Sequence, residues 1–194
     1  YAPDQGRIQL GDRDLTRLAP DAIARAGIAR TFQNIRLFAQ MSVLDNIAMA
    51  LHTRTGYGFW DAALRTRTFR TREAAVLGES LEHLDRFGLA DRRHEAAGSL
   101  PYGEQRRLEI ARALATGPQV LLLDEPAAGM NPREVEDLIR LVRQVHQDFP
   151  LAILLIEHQL PVVMALCRHV QVLDFGQTIA SRTPQEVTRD PKVV

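Results

Sequence analysis

The end of one apolar run holds the residues best suited to chemistry. Residues 120–123 form an aliphatic stretch typical of a buried strand, and Asp124 and Glu125 follow it directly. Ligands of open α/β sheets bind beyond the carboxyl ends of the strands, where both carboxylates would lie. Asp124 suits Mg²⁺, a hard cation that takes oxygen ligands and is usually shared with phosphates. Glu125 could accept a proton from an attacking water, although an acidic turn after a strand is the simpler alternative.

Two more predicted strand ends carry polar side chains. His158 follows the apolar stretch 151–156, about one βαβ unit after Glu125, so it could emerge beside Glu125 at the same sheet edge. A neutral histidine there could hydrogen-bond a transferring phosphate or position a water. Gln33 follows the predicted strand 28–32, and its amide could ligate Mg²⁺ or bind water. Taken alone, each could equally be an ordinary residue at the end of a strand.

A fourth candidate is the start of a predicted helix in the segment 100–112. Pro101 and Gly103 at the helix start leave backbone N–H groups open, and the helix N-terminus offers partial positive charge to a phosphate. The alternative is a helix with a good start and a solvated Arg/Glu face, which the pattern alone does not reject.

The elements that must position these residues follow from apolar spacing and turn residues. Two buried strands separated by a helix predict a parallel sheet covered on both faces, within an α/β core interrupted by a mostly helical lobe over residues 42–112. The other predicted elements are a strand over 7–10, helices over 20–26, from Ser42, over 73–87, from Tyr102 and over 132–145, a loop or insertion over 52–72, and a hairpin of 170–174 with 177–181.

Composition excludes several classes of protein. Lys and Arg together number 24, as do Asp and Glu, so the basic surface that a dedicated DNA-binding or polybasic membrane-binding domain needs is absent. The single cysteine, Cys167, excludes an internal disulfide and a cysteine-rich zinc site, and it fits a reducing cytosol as a small buried hydrophobe. No apolar stretch approaches the roughly 18–20 residues of a membrane-spanning helix. The length, 194 residues, fits one domain.

The candidates, in this order, resemble the nucleotide-binding domain of ABC transporters. Gln33 falls at the Q-loop position, 100–105 at the signature motif, 120–125 at Walker B, 127–131 at the D-loop and His158 at the switch histidine. The resemblance covers nearly the whole chain and implies a P-loop NTPase-like α/β fold with an inserted helical lobe. Closer resemblance to the ATP-binding subunits of branched-chain amino acid importers is carried by the segments 30–38, 102–112 and 124–132.

That resemblance implies an ATPase with ATP and Mg²⁺ as cofactors, at the cytoplasmic face of a bacterial membrane. Two domains would pack head to tail, as a homodimer or heterodimer, and each would complete the other's ATP site. Permease subunits would be the direct partners, a solute-binding protein an indirect one, and nucleic acid would not be a partner. Cargo could instead be urea, amides or lipid-linked molecules, and a non-transport ABC protein is a further alternative.

The resemblance also implies a role for each site residue. Asp124 and Gln33 would hold Mg²⁺, Glu125 would polarise the attacking water, and His158 would contact the γ-phosphate. The expected nucleotide contacts are Gln33, Tyr102, Gly103, Glu104 and Asn131. Apolar residues after the Q-loop would either face the membrane subunits or pack internally, namely Leu37, Phe38 and Met41.

The chain departs from the family pattern at several motif positions. Pro101 stands where the general signature has Ser and Tyr102 where it has Gly, so only amide contacts can be assigned there. Asn131 stands where the D-loop usually has Asp, and with Pro132 and Glu134 it forms a good helix start.

The phosphate loop of the family, G-x-x-x-x-G-K-[ST], is the largest departure. No Gly-Lys pair occurs, and the only lysine is Lys192, close to the C-terminus. We therefore expect residues 1–194 to be one incomplete ABC ATPase domain that lacks its N-terminal strands and phosphate loop and binds ATP weakly on its own.

Overall fold

The computed structural model describes residues 3–55 and 58–193. Its elements, in chain order, are β1 (Gln9–Leu10), β2 (Arg13–Asp14), α1 (Pro20–Arg25), β3 (Ile28–Arg30), α2 (Val43–His52), α3 (Phe59–Ala63), α4 (Arg67–Arg86), α5 (Tyr102–Ala115), β4 (Val120–Asp124), α6 (Pro132–Asp148), β5 (Ala152–Ile156), α7 (Leu160–Leu166), β6 (Val170–Asp174), β7 (Gln177–Arg182) and α8 (Pro184–Val187). Two short 3₁₀ turns, Ala90–Arg92 and Ala97–Ser99, lie between α4 and α5.

A three-stranded parallel sheet in the order β3-β4-β5 forms the centre of the α/β core. Its register pairs Arg30 with Leu122 and Asp124 with Ile156, so the three strands end at one edge. The long connection from β3 to β4 contains α2 to α5, and α6 makes the crossover from β4 to β5. The predicted α/β fold with a parallel sheet is confirmed.

The two faces of the sheet are not covered equally. On β4, Leu121 and Leu123 are fully buried in the core. On β5, Leu154 and Ile156 stay 57% and 53% exposed, whereas the alternate residues are only partly exposed. The prediction that this strand is buried on both faces is therefore wrong. Side chains alternate along a strand, and within residues 3–55 and 58–193 only one face of β5 is packed against the core.

Helix starts follow the capping residues of the sequence. Ser42 caps α2 through the bond from the Asp45 amide to its hydroxyl, at 3.0 Å. Asn131 caps α6, because its side-chain oxygen accepts from the amides of Arg133 at 3.0 Å and Glu134 at 3.1 Å. The predicted capping role of Asn131 is confirmed.

The predicted loop over 52–72 is wrong in large part. Helix α3 lies inside it, and α4 begins at Arg67, six residues before the predicted start at Glu73. The hydroxyl of Thr66 accepts from the Phe69 amide and caps α4 there, a start signal that the arginine-rich composition obscures. Gly56 and Tyr57, which belong to the same predicted loop, lie outside the described residues.

The core runs from the sheet into the helices between β3 and β4. Its fully buried members include Ile47 on α2, Leu84 on α4 and Leu108 on α5. The predicted hairpin is confirmed as the antiparallel pair β6 and β7. Cys167 is only partly buried, and burial raises the pKa of its thiol. Among the helices of the described residues, none has the length and apolar character needed to cross a membrane.

Candidate functional site

Three polar side chains from three strand ends meet at the carboxyl edge of the sheet. The side-chain amide of Gln33 donates to Glu125 Oε2 at 2.8 Å. His158 Nδ1 lies 3.9 Å from Glu125 Oε1, on the opposite side of the same carboxylate. The parallel register brings them together, since the Glu125 amide donates to the carbonyl of Ile156 at 2.9 Å and so ties the two strand ends.

The backbone of Glu125 adopts an unfavourable conformation. Its φ is 42°, in the left-handed region that residues other than glycine rarely occupy. Such a conformation costs of order 1–3 kcal/mol and persists only where the surroundings impose it, which is frequent at functional sites. The neighbouring bond to Ile156 is one of the contacts that hold it. The strained residue is thus also the one on which Gln33 and His158 converge.

Asp124 forms an ion pair with the side chain of Arg30, which was not among the predicted site residues. The guanidinium of Arg30, on the adjacent strand β3, donates to Asp124 Oδ2 at 2.6 Å. The side chain of Asp124 is 20% exposed and that of Arg30 is 53% exposed, so the pair remains open to solvent. The available signal was a basic residue within the predicted strand 28–32, but the sequence did not show that this strand pairs with the strand of Asp124.

The residues at this edge fit a Mg²⁺ ion shared with a phosphate ligand. Asp124 offers a carboxylate, and the bond from the Gln33 amide nitrogen to Glu125 leaves the Gln33 amide oxygen for another partner. No group of three or more His, Cys, Asp or Glu side chains suited to a metal occurs within the described residues. Because Mg²⁺ is typically bound by one or two protein carboxylates plus phosphates and waters, a sparse donor set of this kind suits it.

Glu157 organises the turn that follows β4, a role that sequence reasoning missed. Its side chain is fully buried, and its Oε1 accepts from the Ala127 amide at 3.0 Å. Its Oε2 accepts from the amides of His158 and Gln159, at 3.0 and 3.1 Å. The Glu157 carboxylate thus binds both the 127–130 turn and the backbone that carries His158.

The predicted signature residues lie at the start of α5, against α6 rather than in the Glu125 cluster. A Cβ atom added to Gly103 would lie 3.3 Å from Glu134 Oε1, so this backbone approaches α6 closely. Glu104 pairs with Arg92 at 3.0 Å. A pocket of ≈ 200 Å³ lies beside this contact and is lined by residues of both helices, among them Glu104 and Asp137. Among the hydrogen bonds and ion pairs of the described residues, none joins Gly103 or Glu104 to Glu125.

Helix α5 does not have the uniformly solvated Arg/Glu face of the simpler alternative. Arg106 and Glu109 are 0% and 2% exposed, and they form an ion pair at 2.7 Å. Both lie against the loop that carries Gln33. The sequence signal was weak, because an Arg and a Glu three residues apart on a helix are usually an exposed pair.

The apolar residues after Gln33 were expected either to face the membrane subunits or to pack internally, and the structure shows both exposed and internal members. Leu37 packs against the core, and Met41 is partly buried. Phe38 is 48% exposed, with the guanidinium of Arg112 5.3 Å from its ring centre. Phe38 is therefore the member of this set available to a partner.

Comparisons with known proteins identify the family of this chain. The model of the ABC transporter family matches residues 1–128. The branched-chain amino acid transport ATP-binding protein LivG of Salmonella typhimurium is 40% identical over 194 residues, which cover 100% of this chain and 76% of LivG. BraF of Pseudomonas aeruginosa, a protein with the same description, is 38% identical over 194 residues, with 100% and 76% covered.

A solved structure shows that the fold is shared as well. An ATP-binding cassette of an ABC transporter, in its ADP conformation, superposes with a TM-score of 0.81 at 29% identity, over 100% of this chain and 76% of that one. The family match spans more than half of the chain, and the two relatives span all of it. The chain belongs to the ABC transporter family and has the fold of its ATP-hydrolysing cassettes.

Proposed function

We propose that this chain is the ATP-hydrolysing subunit of an importer for branched-chain amino acids. The convergence of Gln33 and His158 on the strained carboxylate of Glu125 is the observation that carries the assignment. A carboxylate held between an amide donor and an imidazole can orient a water and accept its proton. The cargo is taken from LivG and BraF, which are described as branched-chain amino acid transport proteins.

Each residue at the edge has one task in this proposal. Asp124 and the amide oxygen of Gln33 would hold Mg²⁺, which when bound would neutralise charge on the phosphates. Glu125 takes the proton of the attacking water, and His158 donates a hydrogen bond to the γ-phosphate. Arg30 would have to release Asp124 for such an ion to bind, and because its side chain is 53% exposed, water could then solvate its charge.

The start of α5 would complete the ATP site of a second ATPase domain, of the same or a related sequence. Two domains packed head to tail would place Tyr102, Gly103 and Glu104 against the partner's nucleotide, where open amides at a helix N-terminus attract phosphate. Asn131 would lie at the same interface. The assembly would sit at the cytoplasmic face of a bacterial membrane, on permease subunits that Phe38 would contact, with a solute-binding protein outside.

The domain organisation in this proposal is a single ABC ATPase unit. The helices between β3 and β4 would form a lobe over residues 42–112, inserted into the α/β core. This lobe would bring the start of α5 to the partner copy, while the core would hold Asp124 and Glu125.

The test uses a chimera, because the 194 residues do not contain the phosphate-loop motif. The phosphate-loop segment of LivG is joined ahead of residue 1, and the chimera is expressed in Salmonella cells that lack LivG. We expect leucine uptake to return.

The catalytic role of Glu125 is tested in the same chimera. Glu125→Gln should lower ATP turnover by at least about 100-fold while ATP binding is retained, because only the proton acceptor is lost.

Controls separate the cargo from the chemistry. Glu136→Gln, on the exposed face of α6, removes a carboxylate outside the site and should leave turnover unchanged. Unaltered turnover in Glu125→Gln would remove Glu125 from the role of base. A chimera that hydrolyses ATP but restores no leucine uptake would contradict the cargo and favour the urea, amide or lipid-linked alternatives.

A further inference from the structure

Arg106 joins α5 to the loop that carries Gln33. Its Nη1 donates to the carbonyl of Phe32 and to Glu109 Oε2, both at 2.7 Å. Its Nη2 donates to the carbonyl of Gln33 at 2.9 Å and to the hydroxyl of Tyr102 at 3.3 Å. The guanidinium is completely buried, so these bonds form away from solvent. The two arms of the Arg106 guanidinium thus attach Phe32 and Gln33, in the loop that follows β3, to helix α5.

Glu109 completes the attachment from the same helix. Its Oε1 accepts from the amides of Phe32, at 3.4 Å, and Arg36, at 3.1 Å. Arg106 therefore binds carbonyl groups of the loop, and Glu109 binds its amide groups. A buried pair that satisfies the backbone polar groups of a loop determines the loop's conformation, because every other arrangement leaves some of those groups unpaired.

Tyr102 extends this attachment to the turn after β4. Its hydroxyl accepts from Arg106 and donates to the carbonyl of Ala128 at 2.9 Å. Its ring lies against Gly129, since a Cβ atom added there would be 3.8 Å from the hydroxyl oxygen. The φ of Gly129 is +76°, a conformation that glycine adopts without strain. The 127–130 turn is thus bound to the start of α5 through the Tyr102 hydroxyl.

We propose that Tyr102, Arg106 and Glu109 form a polar tie that makes three segments move as one unit. The segments are the loop of Gln33, the start of α5 and the turn at 127–130. Within their own chain the three tie residues are positioning residues, since they bind the loop of Gln33 and the turn. Tyr102 also belongs to the start of α5 that the proposed function places against the partner's nucleotide. The tie gives Tyr102, which replaces the glycine of the general signature pattern, a function within its own chain.

This inference rests on the proposed function only for the importance of Gln33 at the ATP site. The tie itself is a property of the isolated chain. It predicts that a change at the Tyr102 hydroxyl reaches the amides of Phe32 and Arg36, to which that hydroxyl makes no bond in the structure. A hydroxyl that merely fastens one turn would affect only residues near Ala128.

The test is amide hydrogen exchange, read residue by residue by NMR, on the 194-residue chain and its Tyr102→Phe variant. This substitution removes one oxygen and keeps the ring against Gly129. We expect exchange at Phe32, Arg36 and the 127–130 turn to become about fivefold faster, the effect of losing one neutral hydrogen bond. The amide of Leu123, in the buried strand β4, should exchange as in the unsubstituted chain.

Ser99→Ala is the matched control. The Ser99 hydroxyl also donates to a backbone carbonyl, that of Ala96, at 2.7 Å, but it has no bond to Arg106. This variant should leave exchange at Phe32 and Arg36 unchanged. Because Arg106→Lys keeps the charge but loses the fork, it should speed exchange at all three segments more than Tyr102→Phe does.

Two results would overturn the tie. One is faster exchange in Tyr102→Phe confined to the 127–130 turn, with Phe32 and Arg36 unchanged. The other is an equal increase throughout the chain, including Leu123, which would indicate loss of overall stability. Neither result depends on ATP hydrolysis or on the cargo, so the tie and the proposed function can fail independently.

Discussion

Two arginine–carboxylate ion pairs lie at the motifs of this protein, and they differ in solvent exposure. Arg106 with Glu109 binds the loop of Gln33, and Arg30 binds Asp124 at the end of β4. Arg106 and Glu109 are 0% and 2% exposed, and their other bonds go to backbone groups and to the Tyr102 hydroxyl. Arg30 and Asp124 are 53% and 20% exposed, with a comparable contact distance of 2.6 Å. Contact distance alone therefore does not distinguish a structural pair from a replaceable one.

Burial makes the difference. Removing one member of a buried pair leaves an uncompensated charge in a medium that solvates it poorly, so the pair cannot open without disrupting the fold. An exposed pair exchanges its partner for water at little cost. The first arrangement suits a fixed joint between helix and loop, and the second suits a carboxylate that must be released for a cation.

Arg106→Met gives the largest effect that this comparison predicts. We expect a loss of about 3–5 kcal/mol in the free energy of unfolding, because Glu109 is left charged and buried. Urea unfolding followed by circular dichroism measures it. Adding Glu109→Gln to Arg106→Met should recover part of the loss, since the amide removes the charge and keeps an oxygen for the Phe32 and Arg36 amides. A loss below about 1 kcal/mol for Arg106→Met would contradict the buried pair.

His83 extends the comparison to pH, with a smaller effect. It is buried on α4 beside the ring of Phe149, and desolvation lowers its pKa from the ordinary value of 6.5. The folded state thus binds fewer protons than the unfolded state, so stability is lost as the pH falls below about 6.5. Unfolding midpoints measured between pH 7.5 and 5.5 should vary less steeply in His83→Gln.

His146→Gln serves as the control for this prediction, because His146 is exposed on α6. It should keep the steepness of the unsubstituted chain. Identical slopes in the unsubstituted chain and His83→Gln would show that His83 does not contribute to the acid sensitivity.

Arg30→Gln gives the smallest effect. We expect a change of about 0–1 kcal/mol in the free energy of unfolding, the range for exposed pairs. Any such loss should shrink when unfolding is repeated in 1 M salt, because screening weakens exposed charges far more than buried ones. A loss as large as that of Arg106→Met would abolish the distinction between the two pairs.

Local sequence patterns account for much of the fold. Polar residues placed just after apolar strands led to Gln33, Asp124, Glu125 and His158, and the parallel register brings Gln33, Glu125 and His158 together. Capping by Ser42 and Asn131 was also predictable, because it depends on residues within three positions.

Other features were hidden because they depend on contacts distant in sequence. Arg106 and Glu109 have the spacing of an exposed helical pair, and only the approach of the loop some 73 residues earlier buries them. The start of α4 was missed because Thr66 gives a weak cap signal among arginines. The open face of β5 could not be predicted, since an apolar run does not reveal what covers it.

The sequence by itself determined the family, the parallel α/β core and the polar strand ends, because each depends on residue type at short spacing. Only the tertiary structure decided which charges are replaceable. It buried Arg106 with Glu109, left Arg30 with Asp124 in contact with solvent, and bent the backbone of Glu125 to φ 42°. The physical reason is that the energy of a charge depends on its solvent exposure, which is set by segments far away in the chain.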